Sequence, residues 1–553
     1  MPRYLLATII GLLAGIGLSL QAQPQPRLTP PAYATLPASC NIGDMVTKTG
    51  SSAGLYVCTA ANTWTIMSGG GGGGGTANVT CTGTADQTAI NAAITGLPSG
   101  GGSVVIAAGT CGLTASITIA KSNVTLQGQG PSTVLQIAAG TLGFPNVVTL
   151  GNGTDTFSNI TLRDLTVDGH DNISDDMILI KNHVLQYGIV NVIGLGSGGN
   201  DIQNDVGTGI NSYGSIRNCN FTNTVDGYSI NGAGGGDVIE GNTLTINSSQ
   251  IKIGGGGTEQ AVIIRGNTFV AVGDMGPDGY AIDSSKMLVV SGNSFVDTID
   301  GGIHPRIGPS TVSGNTFYIT SSPSTVPMID MSSAPYSSIT GNAIEVYTGN
   351  ASPVTGLSLN ANSAAVSNTM KFWTTQNHIG ITAASKSEFT VTGNHLVNTG
   401  SGTTKGIIVT SATDFALAGN SVIGFTTGID MSSSTDGAVA SNNVWNNGTG
   451  VKFDNSQHAT ISSNAFEQSS GACVSSNPGA GSTTYSTLVG NSFYTCSNVL
   501  NSMTNATIMN EGAAVLTDVT ATSMSGAANS PVCVDSAGKL VKGTNTGGVL
   551  SCP

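Results

Sequence analysis

The sequence predicts an all-β protein whose main body is a right-handed parallel β-helix, a solenoid of stacked coils. Two observations carry this prediction: a composition of small residues with little charge, and a Gly-Asn pair that returns at a regular period. Gly contributes 78 of the 553 residues, only 8% of residues are charged and 5% are aromatic. So few large side chains would fill a single globular core of this size poorly, whereas each coil of a stacked array needs only small and branched aliphatic side chains.

The period is defined by Asn residues that mostly follow Gly and precede an apolar residue. The step from Asn293 to Asn315 is 22 residues, and the step from Asn315 to Asn342 is 27. Self-similarity at this period indicates a solenoid. The repeat comprises Asn242, Asn267, Asn293, Asn315, Asn342, Asn368, Asn394, Asn420, Asn442, Asn464 and Asn491, and it extends upstream through Asn218, Asn191 and Asp164.

A coil of three short strands and three turns accounts for this period. Leucine-rich repeats would need a strong Leu pattern, and helical repeats would need helix formers, which are scarce here. In a β-coil each turn lies about 4.8 Å from the same turn in the next coil. Asn tolerates the left-handed conformation of such a turn, and its amide can bond to the Asn above and below. The apolar residues that follow are expected to point inward and stack: Phe269, Phe295, Phe317, Phe466 and Phe493.

One amphipathic helix precedes the coils. Residues Thr84 to Gln87 have the form of a capping box, and Ile90, Ile94 and Leu97 then mark one apolar face. Such a helix can cover the open apolar end of the stack and prevent edge-to-edge pairing. The β-helix itself is predicted over residues 79–510.

The segment before the helix is predicted to hold an export signal and a small module. Arg3 is followed by an apolar run from Leu5 to Leu20, which is short for a membrane anchor, so residues 1–22 are interpreted as a secretory signal peptide. Residues 24–68 form a candidate module. A unit this small would need a disulfide to be stable. The seven glycines of residues 69–75 are predicted to be a flexible linker.

The nine cysteines fit an oxidising compartment. Cys219 is unpaired in the sequence pattern. The sequence does not determine which cysteines are bonded to each other. A metal cluster is the alternative to disulfides, but disulfides are favoured because close Cys-x-x-Cys spacing with nearby His is missing. The other eight form sequence-local pairs: Cys40 with Cys58, Cys81 with Cys111, Cys473 with Cys496, and Cys533 with Cys552. The last pair suggests a disulfide-closed β-hairpin within a C-terminal segment, residues 511–553.

The charge balance restricts the partners. The formal net charge is −13, and no basic patch or basic stretch with interleaved aromatics is present. Nucleic acid and insertion into a membrane after signal removal are therefore not expected. A polyanionic substrate would need a local basic site within an unfavourable overall field.

Candidate catalytic residues lie in the first half of the array. Aspartates that precede successive strands recur at about one or two coils, so stacking would place their carboxylates in one column. Paired carboxylates are needed for glycoside hydrolysis, whereas a lyase needs a base beside the sugar C5 and cations that neutralise the uronate. Such an Asp before Gly is also a common structural turn device. The column comprises Asp176, Asp205, Asp226, Asp278 and Asp300, and the candidate catalytic set is Asp226, Lys252, Asp278, Asp300, His304 and Arg306.

A second acidic cluster is a candidate calcium site. It contains Asp168, Asp171, Asp175 and Asp176, whose carboxylate oxygens are ligands that Ca²⁺ prefers. The alternative is a polar loop between coils.

The chain resembles the pectin-lyase-like superfamily of right-handed parallel β-helices, and within it the branch of pectate lyase superfamily proteins that includes phage tailspike domains. The resemblance rests on the helix around Ala89 to Ile94, the following Gly101 to Ile106, the Val124 to Gly130 segment and the Gly-Asn repeats. It implies the β-helix fold and an activity on polysaccharide. The motifs of the polygalacturonase-like and pectate-lyase-type members do not transfer, because Asn223 to Asp226 contains an inserted Val and Arg306 to Pro309 is only a partial match.

The sequence thus favours an exported polysaccharide lyase or glycoside hydrolase with a site on the flank of the β-helix near residues 226–306. The alternative is a non-catalytic cell-surface, adhesive or carbohydrate-binding protein, which the tethered module and low charge favour. A tailspike-like depolymerase, a third option, would assemble as a homotrimer.

Overall fold

The computed structural model divides the chain into two compact units, Met1–Gly74 and Gly75–Pro553. The predicted signal peptide, most of the Gly linker and several loops lie outside the described residues. The structure describes residues 32–39, 45–48, 54–60, 63–67, 75–138, 144–170, 173–205, 211–222, 227–246, 251–254, 260–271, 279–297, 301–320, 326–347, 353–373, 375–467, 470–475, 486–494, 496, 498–501, 507–509, 532–534, 540–542, 544–546 and 549–551.

The first unit contains a four-stranded sheet. Its strands are Ala32–Tyr33, Met45–Lys48, Gly54–Ala60 and Thr63–Met67. The first pair is parallel and the other two pairs are antiparallel. Cys40 lies outside the described residues, so its predicted disulfide with Cys58 stays a prediction.

The second unit is a parallel β-solenoid with three columns of strands, here named faces A, B and C in the order in which the chain visits them. Successive strands of a face pair in parallel, one coil apart. Two long strands, Thr161–Asp168 and Gly188–Leu195, bend to serve both faces A and B. A short pair, Phe157–Ser158 with Val184–Leu185, stands apart from the three faces.

Faces A and B meet at the turn that holds the Gly-Asn repeat. The other strands of face A are Gly75–Val79, Gly102–Ile106, Val124–Gln127, Ser215–Arg217, Val238–Glu240, Val262–Arg265, Leu288–Ser291, Thr311–Ser313, Ser338–Thr340, Ala364–Val366, Thr390–Thr392, Thr413–Ala418, Thr435–Ala440, Thr460–Ser462, Thr487–Val489 and Thr507–Met509. The other strands of face B are Gly109–Leu113, Thr133–Ile137, Asn220–Thr222, Thr243–Ile246, Thr268–Ala271, Ser294–Val296, Thr316–Ile319, Ala343–Val346, Thr369–Phe372, His395–Asn398, Ser421–Ile423, Asn443–Trp445, Ala465–Glu467 and Ser492–Tyr494.

Face C is a separate 16-stranded sheet. Its strands are Ile117–Ile119, Phe144–Leu150, Ile173–Ile180, Ile202–Asn204, Ile230–Asn231, Ile251–Ile253, Ile282–Ser284, Ile303–Pro305, Pro327–Asp330, Thr355–Ser358, Ile379–Thr382, Lys405–Ile408, Thr427–Asp430, Thr449–Lys452, Ala472–Ser475 and Asn498–Asn501. The core is the space enclosed by the three faces, which is filled by fully buried aliphatic and Phe side chains.

The predicted Asn ladder is confirmed. From Asn242 to Asn491 the side-chain amide of each Asn donates to the side-chain oxygen of the next at 2.9 Å. The upstream extension of the repeat was wrong by one residue. Cys219, and not Asn218, pairs with the ladder position of Asn242 through its backbone N–H.

The three upstream residues occupy the turn position immediately before the ladder position. Asp164, Asn191 and Asn218 have φ between 53° and 55°, and Gly241 follows in the same position with φ of 67°. This position requires the left-handed conformation, which short polar residues and Gly tolerate. The spacing alone could not distinguish it from its neighbour.

The inward Phe residues stack from coil to coil, as predicted. Phe269, Phe295 and Phe317 have ring centroids 4.6 and 4.4 Å apart and nearly parallel planes. Phe466 and Phe493 stack at 5.3 Å. The aromatic residues are few, but they are concentrated where successive coils can align them.

The helix extends over Gln87–Gly96, with Ile90 and Ile94 buried against the first coils. The predicted capping box does not form. The N-cap is Asp86, and its carboxylate instead accepts the N–H groups of Thr82, Gly83 and Gly112 at 2.8 to 3.0 Å, which ties the helix start to a neighbouring coil. That the helix closes the end of the stack stays a prediction.

Two predicted disulfides are present, Cys81–Cys111 and Cys473–Cys496. Cys219 is free and buried. Near the C-terminus two antiparallel hairpins occur where one was expected: Val532–Val534 with Leu540–Lys542, and Thr544–Thr546 with Val549–Ser551. Cys552 lies outside the described residues, so its pairing with Cys533 stays a prediction.

A candidate active site on face C

The outward side of face C carries a column of polar side chains. The inward positions of neighbouring strands are Ile230, Ile251, Ile282 and Ile303, which pair in register and are fully buried. Because strand residues alternate between the two sides of a sheet, the next residue of each strand faces outward. These outward residues are Asn231, Lys252, Asp283 and His304, in four successive coils.

Asp283 is the centre of this column. Its carboxylate accepts two hydrogen bonds from one guanidinium, from Arg306 Nε at 2.9 Å and from Nη2 at 2.8 Å. His304 Nδ1 lies 3.1 Å from Asp283 Oδ1. The side chains of Asp283 and His304 are only 11% and 13% exposed, whereas that of Arg306 is 50% exposed. The guanidinium therefore extends from a recessed carboxylate toward solvent.

Asp283 is held as an anion. Burial by itself would raise the pKa of this carboxyl, but contacts with His304 and Arg306 outweigh burial and lower the pKa below its ordinary value. A carboxylate in this state can orient an imidazole and fix a guanidinium, but it is a poor proton donor.

Tyr280 lies in the coil before His304, and Asp330 lies in the coil after it. The Tyr280 ring lies 4.4 Å from the His304 ring, centroid to centroid, and its hydroxyl donates to Asp330 Oδ2 at 2.9 Å. Burial and the Asp330 charge raise the pKa of Tyr280. The other carboxyl oxygen of Asp330 accepts the N–H of Ser332 at 2.9 Å.

Lys252 forms the opposite end of the column. Its Nζ donates to the hydroxyl of Tyr228 at 3.0 Å and lies 5.0 Å from the centroid of that ring. Lys252 is exposed and Tyr228 is half-buried. The Lys252 ammonium and the Tyr228 hydroxyl therefore form a polar pair at this end of the column.

We name this set the face C cluster. It combines an imidazole, two cations, two phenols and two carboxylates, along five coils of one flank. Coil rises of about 4.8 Å make it roughly 20 Å long, which suits an extended chain molecule. Its members are Tyr228, Lys252, Tyr280, Asp283, His304, Arg306 and Asp330.

Three of the predicted catalytic residues, Lys252, His304 and Arg306, lie in this cluster. The other three, Asp226, Asp278 and Asp300, lie outside the described residues and stay predictions. The column of aspartates was misaligned where it can be checked: Ile178 pairs with Ile202, so Asp176 lies two residues before the pair and Asp205 three residues after it. The two carboxylates therefore do not share a position along the coil.

The sequence prediction missed Asp283, Tyr280, Asp330 and Tyr228. Asp283 lacks the Asp-Gly signature that selected the other aspartates, because it lies inside a strand. Alignment of the strands on their inward Ile residues, instead of on a preceding Asp, would have placed Asp283 between Lys252 and His304.

The predicted calcium ligands that the structure places are bonded to amides. Asp168 accepts from the Gln136 side chain at 2.7 Å, and Asp176 accepts from the Asn200 side chain at 2.6 Å. Asp171 and the side chain of Asp175 lie outside the described residues. Calcium binding at these four residues stays a prediction.

A second charged group lies farther along face C. Lys405 Nζ is 2.8 Å from Asp430 Oδ2, and Lys452 pairs in register with Asp430. Burial would raise the pKa of Asp430, but Lys405 and Ser432 lower it. No imidazole or phenol joins this pair in the contacts described here, so it provides a matched comparison for the face C cluster.

A sequence model of the periplasmic copper-binding protein family (NosD) matches residues 309–515. No curated protein matches the chain in sequence. Within the described residues, a single group of three potential ligands has the proximity that a metal site requires: Cys81, Asp86 and Cys111. Its two cysteines form a disulfide. These residues do not fit a copper site.

Solved structures with similar coils include three β-helix proteins of low sequence identity. The tailspike protein of an E. coli bacteriophage, in complex with a pentasaccharide, is 12% identical, with 77% of this chain and 74% of the tailspike covered at a TM-score of 0.41. The A-module of an Azotobacter vinelandii mannuronan C-5 epimerase is 14% identical, with 78% and 97% covered at a TM-score of 0.28. The surface adhesin PfbA of Streptococcus pneumoniae is 13% identical, with 73% and 93% covered at a TM-score of 0.34.

The predicted fold class, a parallel β-helix, is confirmed by the strand topology described above. In the part of the chain that the structure covers, no helix has the length and apolar character needed to cross a membrane.

Proposed function

We propose that the protein is a polysaccharide-processing enzyme whose active site is the face C cluster, and that its reaction is β-elimination on a uronate-containing chain. The observation that carries the proposal is the Asp283 carboxylate, which fixes the Arg306 guanidinium and lies beside the His304 imidazole. An extended chain lying along the flank would contact all of these coils.

The residues divide into roles that elimination requires. Arg306 and Lys252 neutralise the uronate carboxylate, which makes the proton on C5 more acidic. His304 removes that proton, oriented by Asp283. The bond between C4 and the leaving oxygen breaks as the C4–C5 double bond forms, and the imidazolium formed at His304 returns its proton to the leaving oxygen. His304 thus ends the step in its starting protonation state, and the leaving chain carries the proton taken from C5.

Hydrolysis is less well supported by the described carboxylates. A glycosidase needs one carboxyl group that is protonated at working pH. Asp283 has a lowered pKa, and both oxygens of Asp330 accept hydrogen bonds. Asp278 and Asp300 remain the candidates for a hydrolase.

The test is a screen of purified full-length protein on polyuronates and neutral polysaccharides, following both the absorbance of unsaturated uronates and new reducing ends. We expect unsaturated products with the wild type, and a loss of at least about 100-fold in His304→Ala, the range for a general base. Asp430→Asn, which removes a carboxylate from the matched pair on the same face, should retain activity.

The products distinguish elimination, hydrolysis and a non-catalytic role. Reducing ends without unsaturated products would replace elimination with hydrolysis, and Asp278→Asn and Asp300→Asn would then be the variants to compare. No product on any glycan would overturn an enzymatic role and leave the second candidate, a non-catalytic carbohydrate-binding surface protein. That candidate is favoured by aromatic side chains exposed on face B. Export, and a trimer if the protein is tailspike-like, remain predictions.

A further inference from the structure

Face B exposes a row of aromatic side chains that takes no part in the face C cluster. Tyr318, Tyr347 and Trp373 come from three successive strands or the residues that follow them. The Tyr318 and Tyr347 ring centroids are 5.0 Å apart, and those of Tyr347 and Trp373 are 5.9 Å apart with planes within 6°. We name these three residues the aromatic ladder.

We propose that the aromatic ladder is a second glycan-binding surface, and that its ligand is a neutral polysaccharide chain lying along the solenoid axis. This inference concerns a different face from the proposed active site and does not depend on the reaction there.

The exposure of these rings argues for a ligand. The chain has only three Trp residues, and Trp373 is 43% exposed while Tyr318 is 44% exposed. The inward positions of the same strands already hold Phe317 and Phe372, fully buried. The outward rings are thus not needed to fill the core, and clustered exposed aromatics on a soluble protein mark interaction sites.

The polar groups beside the rings favour a sugar over a protein partner. Tyr318, Glu345 and Lys371 are cross-coil neighbours in one outward column. The Tyr347 hydroxyl donates to Glu345 Oε2 at 2.5 Å, and Lys371 Nζ lies 3.5 Å from Glu345 Oε1. A sugar ring has an apolar face and a rim of hydroxyls, so it can contact an aromatic ring and bond to such groups at once. Three rings are also too few for a stable protein interface, which buries about 1,200–2,000 Å².

The charges favour a neutral chain over a polyanion. Glu345 and Lys371 pair with each other and cancel locally, so the ladder offers no uncompensated cation. The formal net charge of −13 would repel a polyanion. Binding should therefore change little with salt concentration, in contrast to a uronate chain on face C.

The test is native affinity electrophoresis of the full chain in gels containing galactomannan, xyloglucan or hydroxyethyl cellulose, each at low and high salt. We expect retardation by at least one of these, independent of salt. Trp373→Ala and Tyr318→Ala should each weaken it about tenfold, which corresponds to about 1.4 kcal/mol. The control is Tyr336→Ala, since Tyr336 is 66% exposed and lies on a turn between faces C and A.

Three results of the gels would overturn the proposal: no retardation by any of the three glycans, equal retardation of Trp373→Ala and wild type, or an equal loss of retardation in Tyr336→Ala. A fourth is a change in the oligomeric state of Trp373→Ala, measured by analytical ultracentrifugation, because it would assign the surface to a second copy of the chain. Because these gels contain no uronate, failure of the face C proposal leaves the result unaffected. A melting temperature of Trp373→Ala equal to that of the wild type shows that lost binding is not lost folding.

Discussion

At the scale of single residues, each Asn of the ladder satisfies several backbone groups at a turn that water does not reach. Asn342 Oδ1 accepts the backbone N–H and the side-chain amide of Asn315, while its own amide donates to Asn368 and to the carbonyl of Val312. Asn342 is 1% exposed. A buried donor or acceptor left without a partner costs about 1–3 kcal/mol, so the side chain is a structural requirement of the turn.

We therefore expect Asn342→Ala to lower the free energy of unfolding by about 3 kcal/mol or more, because it leaves several buried groups unpaired. Urea denaturation followed by circular dichroism measures the loss. The control is Asn377→Ala, since the Asn377 side chain also accepts a backbone N–H, that of Thr403 at 2.8 Å, but at an exposed turn where water can replace it. Equal losses in the two variants would show that burial of the ladder is not the cause.

Asp201 is an ionisable residue in the interior of the solenoid. It is fully buried, and neither carboxyl oxygen has a hydrogen-bond partner among the described residues. Burial raises its pKa to about 7, and the nearby hydroxyls of Ser197 and Ser229, which form no well-aligned hydrogen bond with it, offset only part of that rise. The folded chain thus holds the proton of Asp201 more tightly than the unfolded chain does.

The pH dependence of stability follows from this raised pKa. The contribution of protonated Asp201 is fully present below about pH 4 and is lost as pH rises through about 7. Asp201→Ala introduces the residue found at the equivalent position 281. It should therefore gain stability over wild type at pH 8 relative to pH 5, by on the order of 2–3 kcal/mol. Urea midpoints at the two pH values measure the difference.

Asp430→Asn serves as the control of opposite sign. The pKa of Asp430 is lowered, so its contribution to stability is present above the unfolded pKa and is lost as pH falls through the folded pKa. Asp430→Asn should therefore not change the slope of stability against pH between pH 5 and 8. An unchanged slope in Asp201→Ala would mean that Asp201 is not the titrating group.

At the scale of strands, a column of Gly in face C provides the space that face B side chains occupy. A Cβ at Gly406 would lie 2.4 Å from Val422 Cγ1 and 2.5 Å from the carbonyl oxygen of Gly428. Gly302 would place a Cβ 2.2 Å from a ring carbon of Phe317. The equivalent positions in other coils are Gly356, Gly380, Gly428 and Gly450. The small residues of one sheet and the large residues of another are thus matched across the core.

Gly406→Ala should destabilise the fold by about 2 kcal/mol, because overpacking forces the backbone of the next coil to move. Gly314→Ala is the informative comparison: its φ is +62° but no atom lies within 4 Å of the added carbon, so it should cost about 1 kcal/mol from conformation alone. Thermal unfolding of the two variants ranks them, and a larger loss at Gly314 would contradict the packing explanation.

The accuracy of the sequence prediction also depended on the element. The ladder was predictable because Gly-Asn is a local signal that repeats. Lys252, His304 and Arg306 were selected because they lie near the predicted column of aspartates, and their role in a site stays a prediction. Cross-coil register is not local. It depends on which Ile faces inward and on loops of variable length, so Asp283 and Tyr280 could not be assigned by counting from a preceding Asp.

At the scale of the whole molecule, the two described disulfides of the solenoid lie near its ends. Cys81–Cys111 joins the first coils, and Cys473–Cys496 joins two of the last. An interior coil packs on two neighbours and a terminal coil on one, so terminal coils of a repeat protein open most readily. The disulfides therefore lie where the stack has the fewest other contacts.

A variant that combines Cys473→Ser with Cys496→Ser should exchange amide hydrogens faster over residues 465–501 and leave residues 260–420 unchanged, as measured by hydrogen exchange with mass spectrometry. The corresponding Cys81→Ser and Cys111→Ser pair should affect only the first coils. Faster exchange throughout the stack in either variant would show that the solenoid opens as one cooperative unit.

The steps of the Asn ladder from Asn420 to Asn442 and from Asn442 to Asn464 are both 22 residues. Two adjacent coils of equal length can in principle be duplicated or deleted as units, because the new junction would repeat contacts that already exist. Each such event would shift everything beyond it by one rise, about 4.8 Å. Residues 420–464 follow both the face C cluster and the aromatic ladder in the chain, so the solenoid can gain or lose length there while each surface keeps its present spacing.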